Sequence, residues 1–574
     1  MEAGNFCKSL FFRVIYAIIY FFRQGPWKQI KKLMDHSLFF RGVDALFAFI
    51  QRVFSASITA KLFTGHINEE VYNASLFVRF VRQAPQLFVH LRRRFKPAYD
   101  GSGWSALMRN LGALAQGSFA VRALFRFLGI ELNKPVKLSR FPLALLFTGI
   151  VAASAAFLFF PPLYAAIGAG GFIGALSVLA FPELGVIAVT AAAPFLPTMV
   201  VAAMLGYTAV CYCVKLMTNA RYAPFIDHTG LTVVLYAGIG IFYGFTSFHP
   251  ASSIRIAMLT TLLMLGYLLT TALIDSRRKF NTLIFTFCTS AALTGVVGAY
   301  QKLSGKVDMT WVDKQLFSDL TLRVSSTFAN PNVYGSYLLL VIPVCMIMIH
   351  TSSRLVHKLY YLLITGLLIY NLGLTYSRGC YLALVAGLII YIFFIEKRLI
   401  TLFTAGIFIL PAVIPASILR RVLSITNLSD SSTSYRIYIW QATLRILKDF
   451  WFSGLGQGIE AYNVVYPYYA FSDVTAPHSH NLYLQVFTEL GIFGLIAFLL
   501  MILTFFRTLL KLFYKTRNTK TKSFLAALFA AAAAFLMQGM FDYVFYNYRV
   551  MLTFFIFMGI GGAMVNIRLK EDFC

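Results

Sequence analysis

Residues 254–300 read IRIAMLTTLLMLGYLLTTALIDSRRKFNTLIFTFCTSAALTGVVGAY. Two apolar runs, 254–274 and 280–300, flank one charged knot, Arg277-Arg278-Lys279. Each run has the roughly 20 residues that carry a helix across about 30 Å of hydrocarbon. In lipid, backbone N–H and C=O groups must be bonded within their own segment, so a lone apolar run of this length is helical. The alternation of apolar run and short basic loop sets the fold class: an all-α, polytopic transmembrane helix bundle.

Working outward, the same pattern repeats. Apolar runs occur at about 142–160, 163–181, 184–196, 198–217, 230–247, 333–350, 359–375, 380–395, 399–418, 482–506, 523–541 and 549–566. With the opening pair they give about 12–14 spans. The run 184–196 is short enough to be re-entrant, and the Gly- and Pro-rich stretch 161–197 blurs the first four boundaries. Short basic loops set the orientation. Arg277-Arg278-Lys279, the group Arg354, His357 and Lys358, the pair Lys397 and Arg398, and the six Lys/Arg of 507–522 all fall on one side by span counting. That side is expected to be the cytoplasm, with both termini there and the protein in the inner (cytoplasmic) membrane. Two long loops, 301–332 and 419–481, then lie outside.

Composition agrees. Of 574 residues, 59% are hydrophobic and 13% charged, and the net charge is +28. Residues 1–140 hold 21 Lys/Arg against 7 Asp/Glu, half of that excess. Apolar residues recur between the basic ones, as in 39–54, so this part reads as a basic amphipathic region, either cytoplasmic or on the membrane surface. Anionic membrane lipid is the expected partner. Nucleic acid is not, since neither zinc spacing nor an RNA-binding signature appears. The seven cysteines lie mostly within apolar runs and form neither a disulfide framework nor a metal site. The domain division is therefore 1–140 and a transmembrane domain 141–574, with the extracytoplasmic loop 419–481.

Long loops among short connections usually carry function. Segment 434–450 reads as an amphipathic helix with Tyr435, Ile439, Ala442 and Ile446 on one side, followed by GLGQG at 454–458, expected to be a turn or flexible elbow. Arg378 stands in a very short outer loop, where positive charge is disfavoured, and the large loop adds Arg420, Arg421, Arg436 and Arg445. A guanidinium fork suits a diphosphate, although Arg378 alone could equally snorkel to headgroups. His478-Ser479-His480-Asn481 stands where the loop re-enters the membrane. Asn481 is a natural helix cap, and an imidazole there can take a proton from a hydroxyl. A lone histidine in this place more often caps or packs. Gly491 and Gly494 read as a notch for close helix contact. Asn330, Pro331 and Asn332 open another span, with Asn330 as cap and polar groups facing outward. No Walker motif and no hydrolase elbow occurs. Asp308, Asp313, Asp319, Asp430, Glu460 and Asp473 are scattered carboxylates on the outer side.

Taken together, these pieces resemble the O-antigen ligase/polymerase superfamily over about 180–566. They are STFANPNVYGSYLLLVIPV at 326–344, TYSRGCYLAL at 375–384, SYRIYIWQA at 434–442, SGLGQG at 453–458 and HSHNLYLQVFTELGIFG at 478–494. The last is the most specific, and the family pattern falls on His480, Asn481, Gly491 and Gly494. The resemblance implies a metal-independent, inverting glycosyltransferase without a cofactor. Its donor is a glycan on a polyprenyl diphosphate at the outer membrane face, and its acceptor is a hydroxyl of a glycan, lipid or protein. It implies that Arg378 and Arg436 hold the diphosphate and that His480 is the base or orients the acceptor. Asn481, His478, Asn330 and Asn332 stand as supporting residues. A membrane transporter or lipid-linked-glycan flippase is the rival reading. It would predict charges deep in the spans and internal repeats, and the sequence has few of the first and no clear sign of the second.

Overall fold

The computed structural model describes residues 75–103, 162–305, 323–395, 416–423, 431–471 and 474–573, with a few isolated positions between them. The sequence readings at 39–54, 142–160 and 399–418, and most of the loop 301–332, lie outside these stretches or are barely touched by them. The chain divides into two compact units, one of 1–65 with 388–416 and one of 66–387 with 417–574. The site described below lies in the second, as does the bundle apart from residues 388–395 and 416.

Its helices are α1 (Leu76–Asp100), α2 (Pro162–Ala180), α3 (Glu183–Ala192), α4 (Thr198–Thr218), α5 (His228–Phe245), α6 (Pro250–Leu273), α7 (Arg277–Ser304), α8 (Pro331–Thr351) and α9 (Leu355–Leu374). Then follow α10 (Arg378–Ile395), α11 (Ala416–Leu423), α12 (Ser431–Phe450), α13 (Ile459–Val465), α14 (Leu482–Lys515), α15 (Thr519–Gln538) and α16 (Tyr548–Phe573). No strand occurs among the described residues. Among the described residues ten helices, α4 to α10 and α14 to α16, are long and apolar enough to cross a membrane. This is a multi-pass, all-α membrane bundle. The short run expected at 184–196 is α3, of 10 residues. At 1.5 Å per residue it reaches only about 15 Å, half a bilayer core.

Helix starts follow the capping residues. The side chains of Asp227, Ser276, Asn330, Asn481 and Asn518 accept from the first-turn N–H groups of α5, α7, α8, α14 and α15. Each satisfies a donor the helix itself leaves orphaned. Helix α8 packs between α9 and α15, and α16 packs against α6. Both α8 and α16 are buried along most of their length, whereas α9 and α10 turn most of theirs outward. Helix α1 shows how part of the basic N-terminal region meets the bundle. Val78 and Val81 pack against Leu231 of α5. Arg92 donates from Nε to the Leu216 carbonyl (2.8 Å) and from Nη2 to the Tyr222 carbonyl (2.7 Å), closing the end of α4. Arg93, Arg94 and Lys96 stay exposed.

Candidate functional site

Four segments converge where α8, α14 and α16 begin and α9 and α15 end. The first is the turn Tyr376-Ser377-Arg378-Gly379 between α9 and α10. Tyr376 has φ +50°, and a Cβ on Gly379 would collide with Gln538 of α15. Glycine is needed there so that the turn can approach α15. Two arginines from distant segments fasten this turn. Arg323 donates from Nε to the Thr375 carbonyl and from Nη2 to Asn332 Oδ1, both at 2.8 Å. Arg421 donates from Nε to the Tyr376 carbonyl (3.3 Å).

The second segment is α12. Ile439, Ala442 and Ile446 are fully buried against Leu455, Tyr462 and Tyr466, so the amphipathic face expected from sequence is the one that packs. Arg378 Nη2 donates to Thr433 Oγ1 (3.4 Å). Arg436 stands one helical turn beyond Thr433. Arg378 thus reaches the helix that carries Arg436, although 58 positions separate their numbers. Arg421 and Arg436 also act on Arg323. Burial, then the charges of Arg421 and Arg436, push its guanidinium down to about 9. It is still cationic at neutral pH, and the repulsion marks a dense positive centre. Arg445, from the same loop, does not join it: its guanidinium lies 3.9 Å from the Phe471 ring centroid in a cation–π contact.

The third segment is 477–481. His480 has φ +49°, a left-handed conformation uncommon for non-glycine residues, although histidine is among those enriched there. Its backbone N–H donates to His478 Nδ1 (3.3 Å), and Asn481 caps α14 by accepting from the N–H of Tyr483 and Leu484, both at 3.0 Å. The turn is further held by Gln485 Oε1, which accepts from the Ser479 N–H (2.7 Å). His478 is buried in a near-parallel stack on Tyr546 (centroids 4.9 Å). Burial, and then the charges of His480 and Arg436, lower its pKa to about 3 against the opposing pull of Asp542. Its Nδ1 is therefore an acceptor and the ring is neutral. Asn330 caps α8 by accepting from the Asn332 N–H (2.8 Å), and its side chain lies near the Tyr546 hydroxyl.

The fourth segment, 539–547, supplies a residue the sequence reading did not single out. Asp542 Oδ1 lies 3.0 Å from His480 Nδ1. Its side chain is 3% exposed, while that of His480 is 24% exposed. Burial opposes its ionisation, but the hydrogen bond and charge of His480 and the charge of Arg436 win and hold the carboxyl well below its usual range. An ionised Asp542 makes His480 Nδ1 the protonated nitrogen and leaves Nε2 with a lone pair. His478, His480 and Asp542 also bring three ligand atoms within 4.8 Å of one another, a set that sequence spacing did not reveal. Those residues are already engaged with each other, His480 Nδ1 to Asp542 and His478 Nδ1 to a backbone N–H.

The GLGQG segment is a fixed strap and not an elbow. Gly454, Gly456 and Gly458 all have positive φ. Helix α14 breaks at Gly491 (φ +57°, ψ −167°), which frees carbonyls just before it. The Leu455 N–H donates to the Thr488 carbonyl (2.8 Å) and the Gly456 N–H to the Glu489 carbonyl (2.9 Å). A Cβ on Gly454 would lie 2.6 Å from the Glu489 oxygen. Gly491 is thus a kink that receives the strap, not the notch expected from its spacing to Gly494. Between the strap, α6, α14 and the 543–548 segment lies a cavity of about 180 Å³, lined with His478, Gln457, Glu460, Gln485, Glu489 and Tyr548.

Residues 362–499 match the family model described as O-antigen ligase. The matched segment contains Arg378, Arg421, Arg436, His478 and His480. Arg323 and Asp542 reach the same place from outside it. The match supports O-antigen ligase superfamily membership through this segment, the part of the chain that holds the motifs at 375–384, 434–442 and 478–494. A glycan-transfer role of the ligase/polymerase kind in polysaccharide biosynthesis follows. No curated protein matches the chain significantly.

Proposed function

We propose that the protein transfers a glycan from a polyprenyl diphosphate to an acceptor hydroxyl at the outer face of the inner membrane, by a metal-independent, inverting displacement. The observation that carries the reading is the His480–Asp542 pair at 3.0 Å, set beside arginines from four segments. The acceptor oxygen attacks the anomeric carbon, and its proton passes to His480 Nε2. The bond from that carbon to the diphosphate breaks, and the electron pair leaves on the diphosphate oxygen. Arg378 and Arg436 hold that diphosphate, with Arg323 and Arg421 adding positive charge where negative charge develops. A single displacement inverts the anomeric centre. Asp542 fixes the tautomer and stabilises the imidazolium, as the acidic member of a catalytic triad does. His478 and Asn481 shape the turn, while Asn330 and Asn332 brace Tyr546 and Arg323. The acceptor, whether glycan, lipid or protein, enters from the side of the 180 Å³ cavity. The basic loops face the cytoplasm, which puts both termini there and the loop 419–481 outside.

The test is transfer by the purified protein from a lipid-linked donor, with and without EDTA, followed by the anomeric configuration of the product. The reading expects product in both conditions and configuration opposite to the donor. Loss in EDTA with recovery on adding a divalent cation would move the chemistry to a metal on His478, His480 and Asp542.

A further inference from the structure

Helices α8, α9 and α15 each carry site residues at or beside one end. At their other ends, some 30 Å away by helix length, they enclose a second cavity of about 670 Å³ with the start of α7. Arg277, Arg278, Arg354, His357 and Lys520 line it, and no Asp or Glu does among the described residues. Three helices begin there, α7, α9 and α15, so the positive ends of their dipoles add to the field. The walls behind the cations are apolar, with Phe280, Ile284, Met348 and Phe524. Beside it, α9 exposes Leu355 (51%), Val356 (74%) and Leu363 (62%), surface that a bilayer must cover.

We propose that this cavity binds an anionic glycerophospholipid, its phosphodiester among Arg278, Arg354 and Lys520 and its first acyl carbons against Phe280 and Met348. A free phosphate would satisfy the cations and leave the apolar wall facing water. A zwitterionic lipid would fill the wall but bring its own cation to a positive rim. Basic pockets between spanning helices are suited to anionic headgroups for the same reasons. The lipid would bridge the ends of α7, α9 and α15, where Lys520 Nζ reaches Ser353 Oγ just before α9 (3.3 Å). The site is distinct from the transfer centre and needs no turnover to be seen.

The experiment is native mass spectrometry of the full-length protein with phosphatidylglycerol and phosphatidylcholine of identical chains. It compares wild type with the triple variant Arg278→Gln, Arg354→Gln, Lys520→Gln, whose three side chains are exposed in the fold. Each cation near an anionic surface contributes roughly fivefold, so the triple variant should lose on the order of 100-fold of the preference for phosphatidylglycerol. The single variant Arg354→Gln should lose about fivefold, which preserves the test if the triple variant does not fold. A charge-matched control, Lys511→Gln, Lys515→Gln, Arg568→Gln, removes cations that line a different cavity and should keep the preference. Equal retention of both lipids by wild type, an unchanged triple variant, or an equal loss in the control would overturn the proposal. So would displacement of the lipid by inorganic phosphate at the same concentration.

Discussion

Replacing Asp542 by Asn changes one oxygen for an NH2 group and keeps the side chain's shape. In the native arrangement the buried carboxylate accepts from His480 Nδ1 at 3.0 Å, which directs the imidazole lone pair to Nε2. An asparagine can donate to Nδ1 instead, which favours the opposite tautomer and places the proton on Nε2, where a base is required. The hydrogen bond to a charged partner is worth roughly 1.5–3 kcal/mol, or about 10- to 150-fold. Inverting the tautomer removes general-base assistance as well, which is about 10²- to 10⁴-fold. Asp542→Asn should therefore lower transfer by about 10²- to 10⁴-fold. The assay is turnover of a lipid-linked donor per mole of monodisperse protein, with thermal midpoints alongside to separate chemistry from folding. A variant within about threefold of wild type, well inside what losing the charged bond alone should cost, would refute the proposed role of the pair.

Arg378→Ala and Arg436→Ala should each weaken donor use, with Lys rescuing poorly because it lacks the planar fork; donor titrations in which Lys restores wild-type behaviour would count against bidentate binding. Gly491→Ala should reduce the thermal midpoint and folded yield, since φ +57° with ψ −167° is nearly closed to other residues, at roughly 1–3 kcal/mol for the backbone alone, and the new Cβ would strike the Phe452 carbonyl. His478, with its pKa lowered to about 3, stays neutral in the fold while the unfolded chain takes up a proton below about pH 6.5. Stability is therefore fully present above that pH and falls as pH drops, by roughly 2 kcal/mol at pH 5. Asp542 does not blur that window, because it is ionised in both states there. His478→Phe, which keeps a ring against Tyr546, should flatten this difference in unfolding between pH 7 and pH 5, and an unchanged pH dependence would show that His478 is not its source.

Hydropathy made the bundle legible. All ten long apolar helices fall on runs read from the sequence, because a bilayer imposes both length and helical backbone on such a run. The caps at Asn330 and Asn481 were legible because capping is local. Long-range pairing was not. Asp542 stands 62 positions from His480, in a short connection where nothing in the sequence pairs it with a histidine. Its one signal is the cost of placing a carboxylate at a membrane boundary within the aromatic run FDYVFY at 541–546. Arg323 belongs to a loop weighed for its asparagines and carboxylates, yet it joins Asn332 to the Arg378 turn. Gly491 was misread because a glycine pair three apart serves helix contact as readily as it marks a kink. Only the strap's carbonyl partners distinguish the two. Arg445 differs from Arg436 in its stack on Phe471, and no periodicity announces that.

The central claim is that His480 takes the acceptor's proton, and its most direct test is His480→Ala measured as transfer per folded molecule. General-base assistance is worth about 10²- to 10⁴-fold, so the variant should insert and fold yet lose activity by that factor, with His478→Ala losing less. A structural role alone would cost folded yield and leave each folded molecule active. Full specific activity in His480→Ala would contradict the account.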